Sequence, residues 1–126
     1  MSSTKLKIAV IDDEHDILTL YEDFLISRGH EVYGSLNADN IMPDFVKNLP
    51  DIALLNYRIA GQKSGIDAAI EILTEYPCFP ILFVTAYDQL YKIILGYSEL
   101  KGKNISVLLK PVLLKKIEDA LLTLVK

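Results

Sequence analysis

Four apolar runs in this chain end in polar side chains: Asp12 and Asp13 after KIAVI, Asn56 after IALL, Thr85 after ILFV, and Lys110 after ISVLL. Two carboxylates, an amide, a hydroxyl and an ammonium form a set suited to holding a phosphoryl group beside a divalent cation. Hard oxygens hold Mg²⁺, which keeps several of its waters and bridges to phosphate. A lysine then neutralises one phosphate oxygen while a threonine hydroxyl donates to another. Taken singly, each feature has a plainer explanation. Adjacent aspartates also cap helices or face water, and asparagine is common in turns at strand ends. The set carries weight only if the fold gathers it in one place.

The hydropathy pattern provides such a fold. Short apolar or β-branched runs lie at Leu6–Ile11, Val32–Leu36, Ile52–Leu55, Ile81–Val84 and Ile105–Leu109. Between them the apolar residues recur at helical spacing. Ile17, Leu20, Tyr21, Phe24 and Leu25 make one stripe, closed by Gly29. Ile41, Phe45 and Leu49 make a second, stopped by Pro50, and Ala69, Ile72, Leu73 and Tyr76 a third, stopped by Pro77. Leu90 to Tyr97 suggests a fourth, and Leu113, Ile117, Ala120 and Leu124 a fifth. Strands alternating with helices predict an α/β fold with a doubly wound parallel sheet. Right-handed crossovers put every strand's carboxyl end on one edge, where ligand chemistry gathers in such sheets. All the polar strand ends then share that edge.

A length of 126 residues suits one domain, and 51% hydrophobic content supplies its core. A net charge of −4 argues against general attraction to nucleic acid or anionic lipid. The single cysteine, Cys78, has no partner for an internal disulfide and reads as a small buried or half-buried thiol. No segment approaches the roughly 20 apolar residues of a membrane span, and the N-terminus lacks a signal peptide's apolar stretch. A cytoplasmic location is expected. His15 reads as a surface histidine in the first helical turn, and His30 as solvated.

IDDE (11–14), LLNYRIAG (54–61) with Gly65, FVTAY (83–87) and LLKP (108–111), in this order and spacing, resemble the CheY-like receiver domain of two-component response regulators. The resemblance spans about Lys5 to Lys126. It implies a flavodoxin-like five-stranded sheet of order 2-1-3-4-5 with five helices on both faces. It also implies one receiver domain in residues 1–126, about 5–126 structured, with no output domain in this chain. In that family a histidine kinase or phosphotransfer protein gives a phosphoryl group to an aspartate ending the third strand. The loops after the third and fourth strands then change, and with them the face made by the fourth helix, fifth strand and fifth helix, which meets a downstream partner. By the resemblance, Asp12, Asp13, the residue-56 side chain and the Arg58 backbone carbonyl would hold Mg²⁺. Thr85 and Lys110 would read the phosphoryl group, and the Lys110–Pro111 peptide would be cis.

The departures are as informative. Asn56 stands where the phosphoacceptor aspartate belongs. A carboxamide has no anionic oxygen with which to attack phosphorus, and one fewer acid weakens Mg²⁺ binding. Lys110 would then have a hydrogen-bond acceptor beside it rather than an anion. Val107 stands where the family carries the Tyr or Phe that reports phosphorylation, and a β-branched residue has no ring to swing. Ala60 replaces a usual proline in a loop one residue longer than typical, and Lys101-Gly102-Lys103 adds a turn before the fifth strand. A deliberate Asp→Asn replacement would explain Asn56 alone. Loss of acceptor and aromatic together favours a natural, atypical receiver that no longer switches by phosphorylation.

The expected function is therefore a non-enzymatic signalling module acting by protein contacts. The apolar excess of YKIILGY (91–97) and of the last helix suits a protein partner or a homodimer, with neither nucleic acid nor membrane bound. The alternative is a small Mg²⁺-dependent phosphotransferase or phosphatase on a similar sheet. Haloacid-dehalogenase-like enzymes need two aspartates separated by one residue, whereas Asp12 and Asp13 are adjacent. A flavodoxin-like cofactor binder would need a phosphate-cradling loop, where DDEHD would repel phosphate.

Overall fold

In the computed structural model, which describes residues 5–58 and 63–126, strands and helices alternate along the chain. The strands are β1 (Lys7–Ile11), β2 (Glu31–Ser35), β3 (Ile52–Leu55), β4 (Ile81–Thr85) and β5 (Ile105–Leu109). The helices are α1 (His15–Ser27), α2 (Ile41–Asn48), α3 (Gly65–Glu75), α4 (Leu90–Leu95) and α5 (Leu114–Val125). All neighbouring strands pair in parallel, in the order β2-β1-β3-β4-β5. This is the predicted doubly wound sheet. Strands β3 and β4 are buried along their whole length, which is why IALL and ILFVT read as unbroken apolar runs rather than as alternation.

The pleat divides the core in two. Ile8, Val10, Leu54, Leu82 and Val84 pack towards Leu18, Tyr21 and Leu25 of α1 and Ile117 and Leu121 of α5. Ile11, Ala53, Leu55, Ile81 and Phe83 pack towards Phe45 of α2, Ile72 of α3 and Leu90 and Ile94 of α4. Each of these large side chains contributes about 1.5–3 kcal/mol by leaving water. Local signals end the helices sensibly. Ser64 and Asp67 form a reciprocal capping box at the start of α3, and Gly29, at φ 97°, turns the chain out of α1.

Several positions depart from the predicted stripes. On α1, Leu18 is buried and Leu20 faces water, because the face turned to β1 and β2 starts one residue later, at Leu18, Tyr21 and Leu25. Leu49 is not core: it caps α2 in the left-handed region and is 61% exposed. Tyr76 caps α3 at the surface, its ring 5.0 Å from Phe45. The fourth helix stops at Leu95, and a 3₁₀ turn, Ser98–Leu100, follows it. Leu113 precedes the first turn of α5 and is 74% exposed, so Leu121 takes the core position instead. Cys78 is exposed rather than buried, since Pro77 and Pro80 hold its segment on the surface between α3 and β4.

Candidate functional site

Parallel pairing brings the strand ends to one edge, and backbone hydrogen bonds fix them there. The Asn56 N–H donates to the Ile11 carbonyl at 3.0 Å, tying the end of β3 to β1. The Lys110 N–H donates to the Thr85 carbonyl at 2.7 Å, tying the ends of β5 and β4. Asp12, Asn56, Thr85 and Lys110 are thus neighbours although they are spread over almost a hundred residues of sequence.

Asp12 is only 1% exposed. Its Oδ1 accepts the Glu14 N–H at 3.0 Å, shaping the entry to α1, and its Oδ2 lies 3.7 Å from Lys110 Nζ. Burial pushes the Asp12 carboxyl above its ordinary range; the Glu14 N–H and Lys110 oppose this, while the Asp13 and Glu14 charges add to it. The Asp12 and Glu14 charges also reach Tyr21, whose phenol is pushed up to about 12, first by burial and then by those charges. Asp13 is exposed. Thr85 is buried, and its Oγ1 accepts the Tyr87 N–H at 3.0 Å, leaving the hydroxyl proton free to donate. The Lys110–Pro111 peptide is cis, as expected.

Half-buried Asn56 has its Nδ2 2.8 Å from the Arg58 carbonyl oxygen. The reverse amide orientation would set two carbonyl oxygens against each other, so the amide donates. Two groups expected to share a cation therefore bond each other. Among the described residues, no group of three or more His, Cys, Asp or Glu is placed to hold a metal ion. Lys110 also differs from expectation: it faces an anion after all, Asp12, because the edge backbone bonds set β5 beside the end of β1. Val107 is half-buried against the core and lines an open cleft with Tyr91, Ile105 and Leu109. Ala60 lies outside the described residues.

The chain matches the response regulator receiver domain over residues 8–122. It belongs to the receiver family. It is 29% identical over 90 residues to the alkaline phosphatase synthesis transcriptional regulatory protein PhoP of Bacillus subtilis, covering 71% of this chain and 37% of that protein. It is 27% identical over 118 residues to the transcriptional regulatory protein ZraR of Klebsiella oxytoca, covering 94% of this chain and 26% of that protein. The chain thus spans 37% and 26% of the length of these two relatives. A receiver domain from Clostridium thermocellum superposes with a TM-score of 0.80 at 26% identity, over 94% of this chain and 93% of that one. Receivers of this family are signalling modules of two-component systems that meet histidine kinases and downstream effectors, and typically bind Mg²⁺ at their phosphorylation site. Among the described residues, no helix is long and apolar enough to cross a membrane.

This receiver also holds polar groups that the sequence concealed. Tyr57, beside Asn56, stacks on Tyr87 with ring centroids 5.6 Å apart and planes 12° apart, joining the loops after β3 and β4. At the opposite edge of the sheet, His30 is 5% exposed, not solvated. Its Nδ1 accepts the Leu6 N–H at 3.0 Å, so its Nε2 carries the proton and donates to Glu118 Oε2 at 2.9 Å. Glu118 is buried too and takes Arg28 Nε at 3.1 Å. His30 and Glu118 are 88 residues apart, so no local pattern announces the pair. The one available signal was a glutamate in the middle of an amphipathic final helix. His15 is exposed in the first turn of α1, as expected.

Proposed function

We propose that this receiver acts through protein contacts without being phosphorylated, with Asn56 in place of the phosphoacceptor. The observation that carries this reading is the Asn56 side chain itself, which ends β3 beside Asp12 and Lys110 and donates its amide to Arg58. An acyl phosphate needs an anionic nucleophile at that position, and the amide has none. The donor set does not fit Mg²⁺ well either. Asp12 is partly neutralised by Lys110, the Arg58 carbonyl already has a donor, and Asp13 alone offers a free carboxylate. Val107 supports the same reading, since it has no ring to report a switch.

In this reading Asp12, Asp13, Thr85 and Lys110 form the framework of a former acceptor site. The working surface is the face of α4, β5 and α5, where Tyr91, Leu95, Leu109 and Leu113 are exposed. A downstream protein or a second copy of the chain would dock there, and a sensor kinase would contact the Asn56 edge without transferring phosphate. The function is non-enzymatic, in the cytoplasm, and residues 5–126 act as one domain.

Beryllofluoride, which mimics a phosphoryl group on aspartate, tests this reading. Amide chemical shifts of the native protein should stay still with Mg²⁺ and beryllofluoride, while those of Asn56→Asp should move. Incorporation of label from a small-molecule phosphodonor into the native protein at Asn56 or a neighbour would sink it.

A further inference from the structure

We infer that Asn56 is a built-in substitute for the cation, its amide pinning the Arg58 carbonyl so that residues 56–58, the start of the segment after β3, hold one conformation with or without Mg²⁺. The inference rests on the reading of this edge as a former acceptor site and adds what now holds the loop. Successive groups are each accounted for. The Asn56 amide donates to the Arg58 carbonyl at 2.8 Å, and the Tyr57 carbonyl accepts the Gly65 N–H of α3, also at 2.8 Å. The Tyr57 ring lies flat on Tyr87, whose N–H is held by Thr85 Oγ1. The start of α3 closes the other side. A Cβ on Gly65 would collide with the Asn56 carbonyl oxygen, so helix and loop are already in contact. An aspartate at 56 cannot donate. Its carboxylate would face the Arg58 carbonyl oxygen with nothing between them, a repulsion that a divalent cation would relieve.

The amide's role separates from mere filling of space in two variants, followed by amide hydrogen exchange and chemical shifts of the loop around Tyr57, Arg58 and Tyr87. Asn56→Ala, at a half-buried site, should fold and should exchange those loop amides about five- to tenfold faster, the effect of one net hydrogen bond. Asn56→Asp should gain loop shifts on addition of millimolar Mg²⁺ alone, whereas the native loop should show none. Unchanged exchange in Asn56→Ala, an Asn56→Asp loop blind to Mg²⁺, or a native loop that shifts with Mg²⁺ as far as the aspartate variant would each overturn the inference. Phosphodonor labelling of the native protein would instead overturn the proposed function, so the two can fail separately.

Discussion

The two edges of this sheet hold polar clusters of similar size and opposite character. At the amino edge, His30, Glu118 and Arg28 close on one another at about hydrogen-bond distance, with both His30 and Glu118 shut away from water. At the carboxyl edge, Asp12 has only a loose 3.7 Å approach from Lys110, and Asp13 beside it is exposed. The titration of the two buried acids follows suit. Burial raises Glu118 too, but the His30 hydrogen bond, Arg28 and Lys115 outweigh it and hold the carboxyl below its ordinary range. At Asp12 burial wins. One edge is organised to hold a charge comfortably, the other holds one at a cost. The first cluster is satisfied by its own partners, and the second leaves its carboxylate under-compensated, as fits the proposed former acceptor site.

Stability measurements can break or sharpen this contrast. The largest effect should come from Glu118→Ala, which strands the His30 N–H in the interior; about 3 kcal/mol should be lost in urea unfolding. Glu118→Gln keeps an acceptor and should lose about half of that. Gly65→Ala should cost about 2 kcal/mol, since the new methyl group meets the Asn56 backbone rather than a side chain that can swing away. Asp12→Asn should change the sign, adding about 1 kcal/mol at neutral pH, because it removes a charge that the fold disfavours. If Asp12→Asn destabilised instead, the two edges would differ less than their geometry suggests.

Acid titration gives a subtler comparison. Glu118, lowered in the folded state, contributes stability above the ordinary glutamate range and loses it as pH falls through its folded value. Asp12, raised in the folded state, works oppositely: the folded form binds its proton first, so stability is gained as pH falls through its folded value towards the unfolded one. The urea midpoint of Glu118→Gln should therefore fall less on acidification than that of the native protein. That of Asp12→Asn should fall more. Lys115→Ala should move either curve least, because its ammonium is exposed and screened and its nearer partner, Asp119, is exposed as well.

The carboxyl edge was legible in the sequence because its members sit at strand ends, where an apolar run stops and a polar residue must follow. Asp12, Asn56, Thr85 and Lys110 are each found by that rule, and parallel topology does the rest. The strands were legible for the same reason, β3 and β4 most of all. His30 was not, because its partners Leu6 and Glu118 reach it only through tertiary packing of β1 and α5. Apolar periodicity placed the helices but misjudged their ends. Leu20, Leu49 and Leu113 have the right spacing and the wrong exposure, since which side of a helix meets the sheet depends on the strand that follows it. The Tyr57–Tyr87 stack joins two loops whose sequences carry no shared pattern, and neither tyrosine stands out among seven.

The close approach of Gly65 bears on what position 56 can hold. It is made to the Asn56 peptide and not to the side chain, so the packing of α3 on the end of β3 is the same for an amide or an acid at position 56, and only the bond to Arg58 responds to the difference. Asparagine and aspartate codons differ at one base. A single base change can therefore exchange amide for acid at position 56 without disturbing that packing, while Asp12, Thr85 and Lys110 remain in place.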